Sequence, residues 1–186
     1  DGKIMKEVEY NGKNSVKVGN VINTLPINKL ANILDPAPPK NIMNILNQIE
    51  FRDVRLCILF LNLPRFSKNA SIYFPHSNIP FNRIYEPKNR SYAMAPKNKT
   101  CIVIEKSCSR EKLIDSDEDF FLKVKFSLIK NRFINEEDIF DYSLGYIPNA
   151  YPILSVDISE KLKTVKSYFN SFENHLLHGR NAEFKY

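Results

Sequence analysis

Phe81-Asn82-Arg83-Ile84-Tyr85-Glu86-Pro87-Lys88-Asn89 is the most specific string in the chain, and its neighbours are read outward from it. As a strand it alternates, so Phe81, Arg83 and Tyr85 share one face and Asn82, Ile84 and Glu86 the other. A lone Arg among aromatics at a strand end can clamp a phosphate or carboxylate with two parallel hydrogen bonds. The alternative is an Arg paired with Glu86 or a neighbouring acid at a sheet edge.

Strand signals surround this string. Val54 to Leu63 is almost continuously apolar, the pattern of a central strand covered on both faces. Segments 70–75, 81–86 and 100–106 read as further strands. Residues 3–9 and 13–18 read as a hairpin around Asn11-Gly12, because both residues tolerate the positive φ of a type I′ turn. Val21-Ile22-Asn23-Thr24-Leu25-Pro26 reads as a short strand entering a helix, with Thr24 as cap and Pro26 in the first turn. Ile27, Leu30, Ala31 and Leu34 give that helix one apolar face. Asp35-Pro36-Ala37-Pro38-Pro39 is a stiff connector. The helix after it, about 40–50, buries Ile42, Ile45, Leu46 and Ile49. Ser116 with Asp119 reads as a capping pair opening a helix to about 131. Tyr151 to Val156 reads as a strand. Asp157 with Glu160 then caps a final helix striped by Leu162, Val165, Phe169 and Phe172. The class that fits is α+β, a mixed and largely antiparallel sheet with flanking helices.

Composition narrows the function. The chain has 186 residues, 43% hydrophobic and 26% charged, as globular chains do. Thirteen Phe and nine Tyr with no Trp make an aromatic-rich core. Gly is scarce at five residues, and no two are close enough to cradle a phosphate. A dinucleotide-binding fingerprint is therefore absent from this sequence. The net charge of +6 attracts anionic partners, yet the basic residues alternate with acids and form no block. That argues against a nucleic-acid module, as do aromatics that fall at core periodicities. Cys57, Cys101 and Cys108 are odd in number and lack metal spacing. Cys57 and Cys101 sit in apolar runs and read as buried thiols, which suits a reducing cytoplasm. No apolar run approaches the ~20 residues that span a bilayer. Asp rather than Met at position 1 suits a piece of a longer chain.

Other candidates carry less. His76, His175 and His178 have no partners at catalytic or metal spacing and read as surface or capping residues, so no metal site is expected. Asp115-Ser116-Asp117-Glu118-Asp119 lacks the Gly and closing Glu of a calcium loop, and acids are favoured at a helix start.

Four segments, in order along the chain, resemble one family. Arg83-Ile84-Tyr85-Glu86-Pro87-Lys88-Asn89, then Met94-Ala95-Pro96 and Thr100-Cys101-Ile102-Val103-Ile104-Glu105, resembles the substrate-domain segment of protoporphyrinogen-oxidase-like proteins. UDP-galactopyranose mutases have a related Arg-x-x-Glu-x-Lys stretch. Val21 to Pro26 resembles the strand by which such chains re-enter their FAD domain, and Asn149-Ala150-Tyr151-Pro152 the segment before the last substrate-side strand. Gly179-Arg180-Asn181-Ala182-Glu183 resembles the last strand-to-helix junction of the amine-oxidase-like flavoenzymes.

The resemblance covers essentially the whole chain, but the family's amino-terminal Gly-rich unit is missing from it, as is the helix expected after Tyr186. It implies a partial FAD-dependent oxidoreductase with a small-molecule substrate. Residues 1–34 would come from the FAD-domain side, 35–156 would form the substrate-binding domain, and 157–186 would be a final helix and a truncated FAD-binding segment. Gly179, Arg180, Thr24 and Pro26 would line the cofactor side, and Arg83, Tyr85 and Lys88 the substrate side. The missing half would be supplied in cis or in trans. This piece alone would not hold FAD, and its uncovered surface would drive self-association. Two other readings are a flavin-dependent sugar-nucleotide mutase, with Arg83 meeting a diphosphate, and a basic binding module without catalysis.

Overall fold

The computed structural model describes residues 3–109 and 115–185. It divides into two compact units, one of residues 1–52 with 149–186, the other of residues 53–148. The helix around residue 42 therefore packs with the terminal unit.

The central unit is built on a five-stranded sheet of order β5-β6-β7-β4-β8. Its strands are β4 (Phe51–Leu61), β5 (Ile72–Tyr73), β6 (Arg83–Tyr85), β7 (Thr100–Cys108) and β8 (Ile139–Pro152). The pairs β5–β6, β6–β7 and β7–β4 are antiparallel. Register makes the two faces different. Ile84, Ile104 and Cys57 stand side by side across three strands, and all are buried. They pack with Phe120, Val124 and Leu128 of α3 (Asp117–Lys130), which covers this face. Each fully buried side chain of this size contributes roughly 1.5–3 kcal/mol. The opposite rungs, Arg83–Glu105–Leu56 and Tyr85–Val103–Ile58, form the other face, where most of these side chains are only half-buried. The apolar run of β4 is thus packed by a helix on one face rather than two. Phe81 lies outside the regular strand and turns into the core with Ile84, not beside Arg83.

The α3 start is as its sequence requires. The Ser116 hydroxyl accepts from the Asp119 backbone N–H at 3.0 Å, and the Asp119 carboxylate accepts from Ser116 N–H. The Ser116 hydroxyl also donates to the Asp119 carboxylate at 2.8 Å, and this bond, with the one from Ser116 N–H, holds the Asp119 carboxyl below its usual range. Buried Arg55 ties the same turn to β4 by donating to the carbonyl of Ser116 at 2.9 Å and lying over the Phe120 ring. The strand expected over Tyr151 to Val156 is the end of the longer β8, which stops at Pro152 before a helix opens at Val156 and whose earlier part is obscured in the sequence by Gly145 and Pro148.

The terminal unit holds the hairpin β1 (Glu7–Tyr10) and β2 (Asn14–Lys17), with positive φ at Asn11 and Gly12. Helices α1 (Ile27–Ile33), α2 (Lys40–Leu46) and α4 (Val156–Asn170) pack around Ile27, Leu30, Ile42, Val165 and Phe169. Two caps differ from expectation. Pro26, not Thr24, occupies the N-cap of α1, and the Asn23 side chain instead accepts from Leu25 N–H. Ser155 precedes α4 with no side-chain cap, and Asp157 lies inside its first turn, where the helix dipole favours an acid. A two-stranded parallel sheet joins β3 (Val21–Asn23) to β9 (His175–Leu177), the strand that leads into the Gly179 junction, and the sequence does not show which strand it pairs with. His175 is buried there, its Nδ1 3.3 Å from the carbonyl oxygen of Phe169, so it is a core histidine and not a surface one. After β9 the chain turns at Gly179 into the one-turn helix α5 (Arg180–Glu183), so a helical turn does follow the junction. Phe184 is buried against Phe51 in an edge-on ring contact, which fixes the tail to the core rather than leaving it frayed. Tyr186 lies outside the described residues.

Candidate functional site

The central unit gathers its chemistry at the β5–β6 side of the open sheet face. Tyr73 pairs with Arg83, and Arg83 pairs with Glu105, so all three lie on one rung. The Arg83 guanidinium donates to the Glu105 carboxylate at 2.6 Å, with both side chains mostly buried. It also lies 5.1 Å from the Tyr85 ring centre and 5.9 Å from that of Tyr73. Arg90 approaches the Tyr85 ring as well, at 5.3 Å. Two guanidinium planes against aromatic rings make a rigid cationic patch, since stacking restricts both partners. The resemblance sets Arg83 toward a substrate. The guanidinium forms an ion pair, and its partner is Glu105 rather than Glu86.

Glu86 has another task. Its buried carboxylate accepts from the backbone N–H groups of Phe66 and Ser67, the Thr100 hydroxyl at 2.6 Å and the Asn89 amide. Lys88 is equally committed. Its buried ammonium donates to the carbonyls of Pro64, Pro96, Lys97 and Lys99 at 2.7–3.0 Å. Asn89 donates to the carbonyls of Ser67 and Asn69. Lys88, expected toward a substrate, is therefore a structural cation that binds two loops together. The string divides its labour: Arg83 and Tyr85 face outward, and Glu86, Lys88 and Asn89 lock the loops that follow. Arg83 and Tyr85 are thereby anchored on a strand whose end cannot drift.

The terminal unit offers a second cluster. Strands β3 and β9 run parallel, and their carboxyl ends lead into α1 and α5. In parallel sheets such ends, beside helix N-termini, are where ligands dock. Thr24 is exposed and Pro26 half-exposed at the first junction, and Gly179 and Arg180 form the second. Gly179 has φ +85°, and a side chain there would meet nothing within 4 Å. The space beside this backbone is open. Arg180 lies 5.0 Å from the Tyr151 ring centre. The Oδ1 atoms of Asn28 and Asn181 are buried without a hydrogen-bond partner among the described residues. Sequence reasoning missed both. An Asn near a helix start is unremarkable until its burial is known.

No cysteine adds a nucleophile. Burial pushes the Cys57 thiol up to about 12, far from a reactive thiolate. No helix among the described residues is long and apolar enough to cross a membrane.

No family model matches the sequence, and no curated protein matches it. Solved structures do. A reduced UDP-galactopyranose mutase superposes with a TM-score of 0.82 over 100% of this chain and 41% of its own, at 16% identity. A structure from Exiguobacterium sp. 255-15 assigned as a protoporphyrinogen oxidase matches at 0.68 over 98% of this chain and 44% of its own, at 11% identity. A putrescine oxidase variant matches at 0.56 over 74% of this chain and 30% of its own, at 16% identity. The chain thus spans less than half the length of these structures. Its α+β architecture, with a mostly antiparallel sheet, is shared with the part of these structures that it covers.

Proposed function

We propose that this chain is part of an FAD-dependent oxidoreductase, and that its open sheet face shapes the substrate cavity. The observation that carries this reading is the bare face of the parallel pair. Ile22 and Leu176 are register partners, 65% and 55% exposed, with Leu25 and Ile33 exposed nearby in sequence. Parallel sheets are normally covered on both faces. A further layer packed on Ile22 and Leu176 would complete the sheet, and a dinucleotide-binding half in cis or in trans is such a layer.

The residues present fit the cofactor. Thr24, Pro26, Gly179 and Arg180 would form its wall, and the orphaned Asn28 and Asn181 oxygens would accept from its N–H or hydroxyl groups. FAD would supply the acceptance of a hydride or electrons. The chain's own residues bind and orient. Arg83, held by Glu105 and Tyr85, would meet an anionic or polar substrate group, and the half-buried Leu56, Ile58 and Phe60 would exclude water from beside it. The free thiols of Cys57, Cys101 and Cys108 suit the reducing cytoplasm as its compartment.

A second reading, a sugar-nucleotide mutase, is favoured by the higher likeness to the mutase structure, 0.82 against 0.68. Arg83 would then meet a diphosphate.

The test is a flavin assay on the full reading frame that contains these residues. The purified product should show flavin absorbance, while FAD titrated into the 186-residue chain alone should give no saturable quenching of flavin fluorescence. A full product that takes up no flavin overturns the reading. Stoichiometric binding by the short chain overturns the need for a second half. Turnover of UDP-galactopyranose with no net oxidation would select the mutase.

A further inference from the structure

We propose that the outer face of α3 is a self-association surface that pairs antiparallel with α3 of a second copy of this chain. The inner face of this helix is fully spent on the core through Phe120, Val124 and Leu128. At 100° per residue, the direction opposite that face falls between Leu122 and Phe126. These two side chains are 51% and 67% exposed. They sit one turn apart, the spacing at which helix residues form a single ridge.

The charges flanking that ridge run from acid to base. Glu118 and Asp119 of the first turn and Lys130 of the last lie beside it, whereas Asp117 turns aside to its ion pair with Arg55. Two such helices side by side in parallel would oppose like charges. Turned antiparallel about a twofold axis, they place each acidic end against the other's basic end, and Leu122 of one copy against Phe126 of the other. A twofold contact uses one patch on both copies, and this patch is complementary to its own reverse. Beside the ridge lies a shallow groove of about 280 Å³, lined by Ile79, Pro80, Phe126, Ser127 and Lys130. It offers apolar floor next to a basic rim, where the second copy's ridge and acidic first turn can seat. This surface lies wholly in the central unit and is separate from the exposed Ile22 and Leu176. It does not depend on the cofactor reading.

Sedimentation velocity of the full chain across the micromolar range tests this. A monomer–dimer equilibrium is expected for the wild type, and a strict monomer overturns the proposal. Leu122→Ser and Phe126→Ser should each weaken the dimer by about tenfold or more, the loss of one buried apolar contact. Both positions face outward, so circular dichroism should show wild-type helix content. A dimer unchanged by both substitutions overturns the proposal. Lys130→Glu should weaken dimerisation in low salt, and the double variant Glu118→Lys/Lys130→Glu, which reverses both ends, should restore it. A double variant no tighter than the single one overturns the antiparallel arrangement, and capture of a different protein by the wild type but not by Phe126→Ser overturns the second copy as the occupant.

Discussion

Arg83 and Glu105 are register partners on β6 and β7, and their side chains close a 2.6 Å ion pair on the open face of the sheet. The pair orients the guanidinium while both Tyr73 and Tyr85 bracket it. In the complete enzyme proposed above, Arg83→Ala should lower kcat/KM by about tenfold to a hundredfold, the loss of one or two charge-assisted bonds of roughly 1.5–3 kcal/mol. It should also cost folding about 3 kcal/mol, because a Glu105 side chain only 13% exposed loses its cation. Arg83→Lys should rescue partly, since an ammonium has no planar fork. Steady-state kinetics beside urea unfolding separate the two effects. Wild-type kinetics with reduced stability in both variants would make Arg83 purely structural.

Lys88 should behave in the opposite way. Its ammonium is taken up by four carbonyls, so its removal strands acceptors that water cannot reach. Lys88→Met should destabilise the chain by about 3 kcal/mol or more. Lys88→Arg should not rescue, because a flat fork cannot serve carbonyls arranged around a point. Urea midpoints measure this, and a Lys88→Met midpoint equal to wild type would disprove the clamp.

Why the sequence misled at Lys88 and not at Ser116 is a matter of range. The Ser116–Asp119 capping box closes within one helical turn, and local spacing alone specifies it. The β4, β6 and β7 strands were legible for a similar reason, since alternation and apolar runs are local signals. The Lys88 cage needs Pro64, 24 residues away, and the Arg83 partner lies 22 residues away on another strand. A motif names such residues but not the direction of their side chains. The partner of strand β9 was hidden, because three residues, His175 to Leu177, gain strand geometry only by pairing with Val21 to Asn23. The orphaned oxygens of Asn28 and Asn181 have no sequence signature at all.

His175 should make stability depend on mildly acidic pH. Burial holds its imidazole below the ordinary value of 6.5, and the contact with the Phe169 carbonyl only partly opposes this. The unfolded chain therefore binds a proton more readily than the folded one, and stability rises with pH in that window. The contribution is fully present above pH 6.5 and is lost as pH falls from there through the lowered folded value. The carboxylates of Asp119, Glu136 and Glu183 are also lowered, but their window begins below 4.5. Urea unfolding at stepped pH should show the slope in the wild type and its loss in His175→Gln. A slope that survives the substitution would assign it elsewhere.

Gly179 tests the second cluster through its backbone. Its φ of +85° and ψ of 168° fall where almost only glycine is found. A Cβ there would meet no neighbour within 4 Å, so Gly179→Ala adds no clash and isolates the conformational cost. That cost should be about 1–3 kcal/mol. Asn tolerates the left-handed helical region, but this ψ lies outside it, so Gly179→Asn should be no better than Ala. The substitution should also loosen α5, because the Gly179 N–H donates to Glu183 at 3.1 Å across that single turn. Thermal unfolding of both variants, with hydrogen exchange over residues 179–184, measures the two effects. Equal stability for glycine and alanine would mean the turn has relaxed to an ordinary conformation, and the open space beside Gly179 would then no longer mark a place where a ligand approaches the backbone.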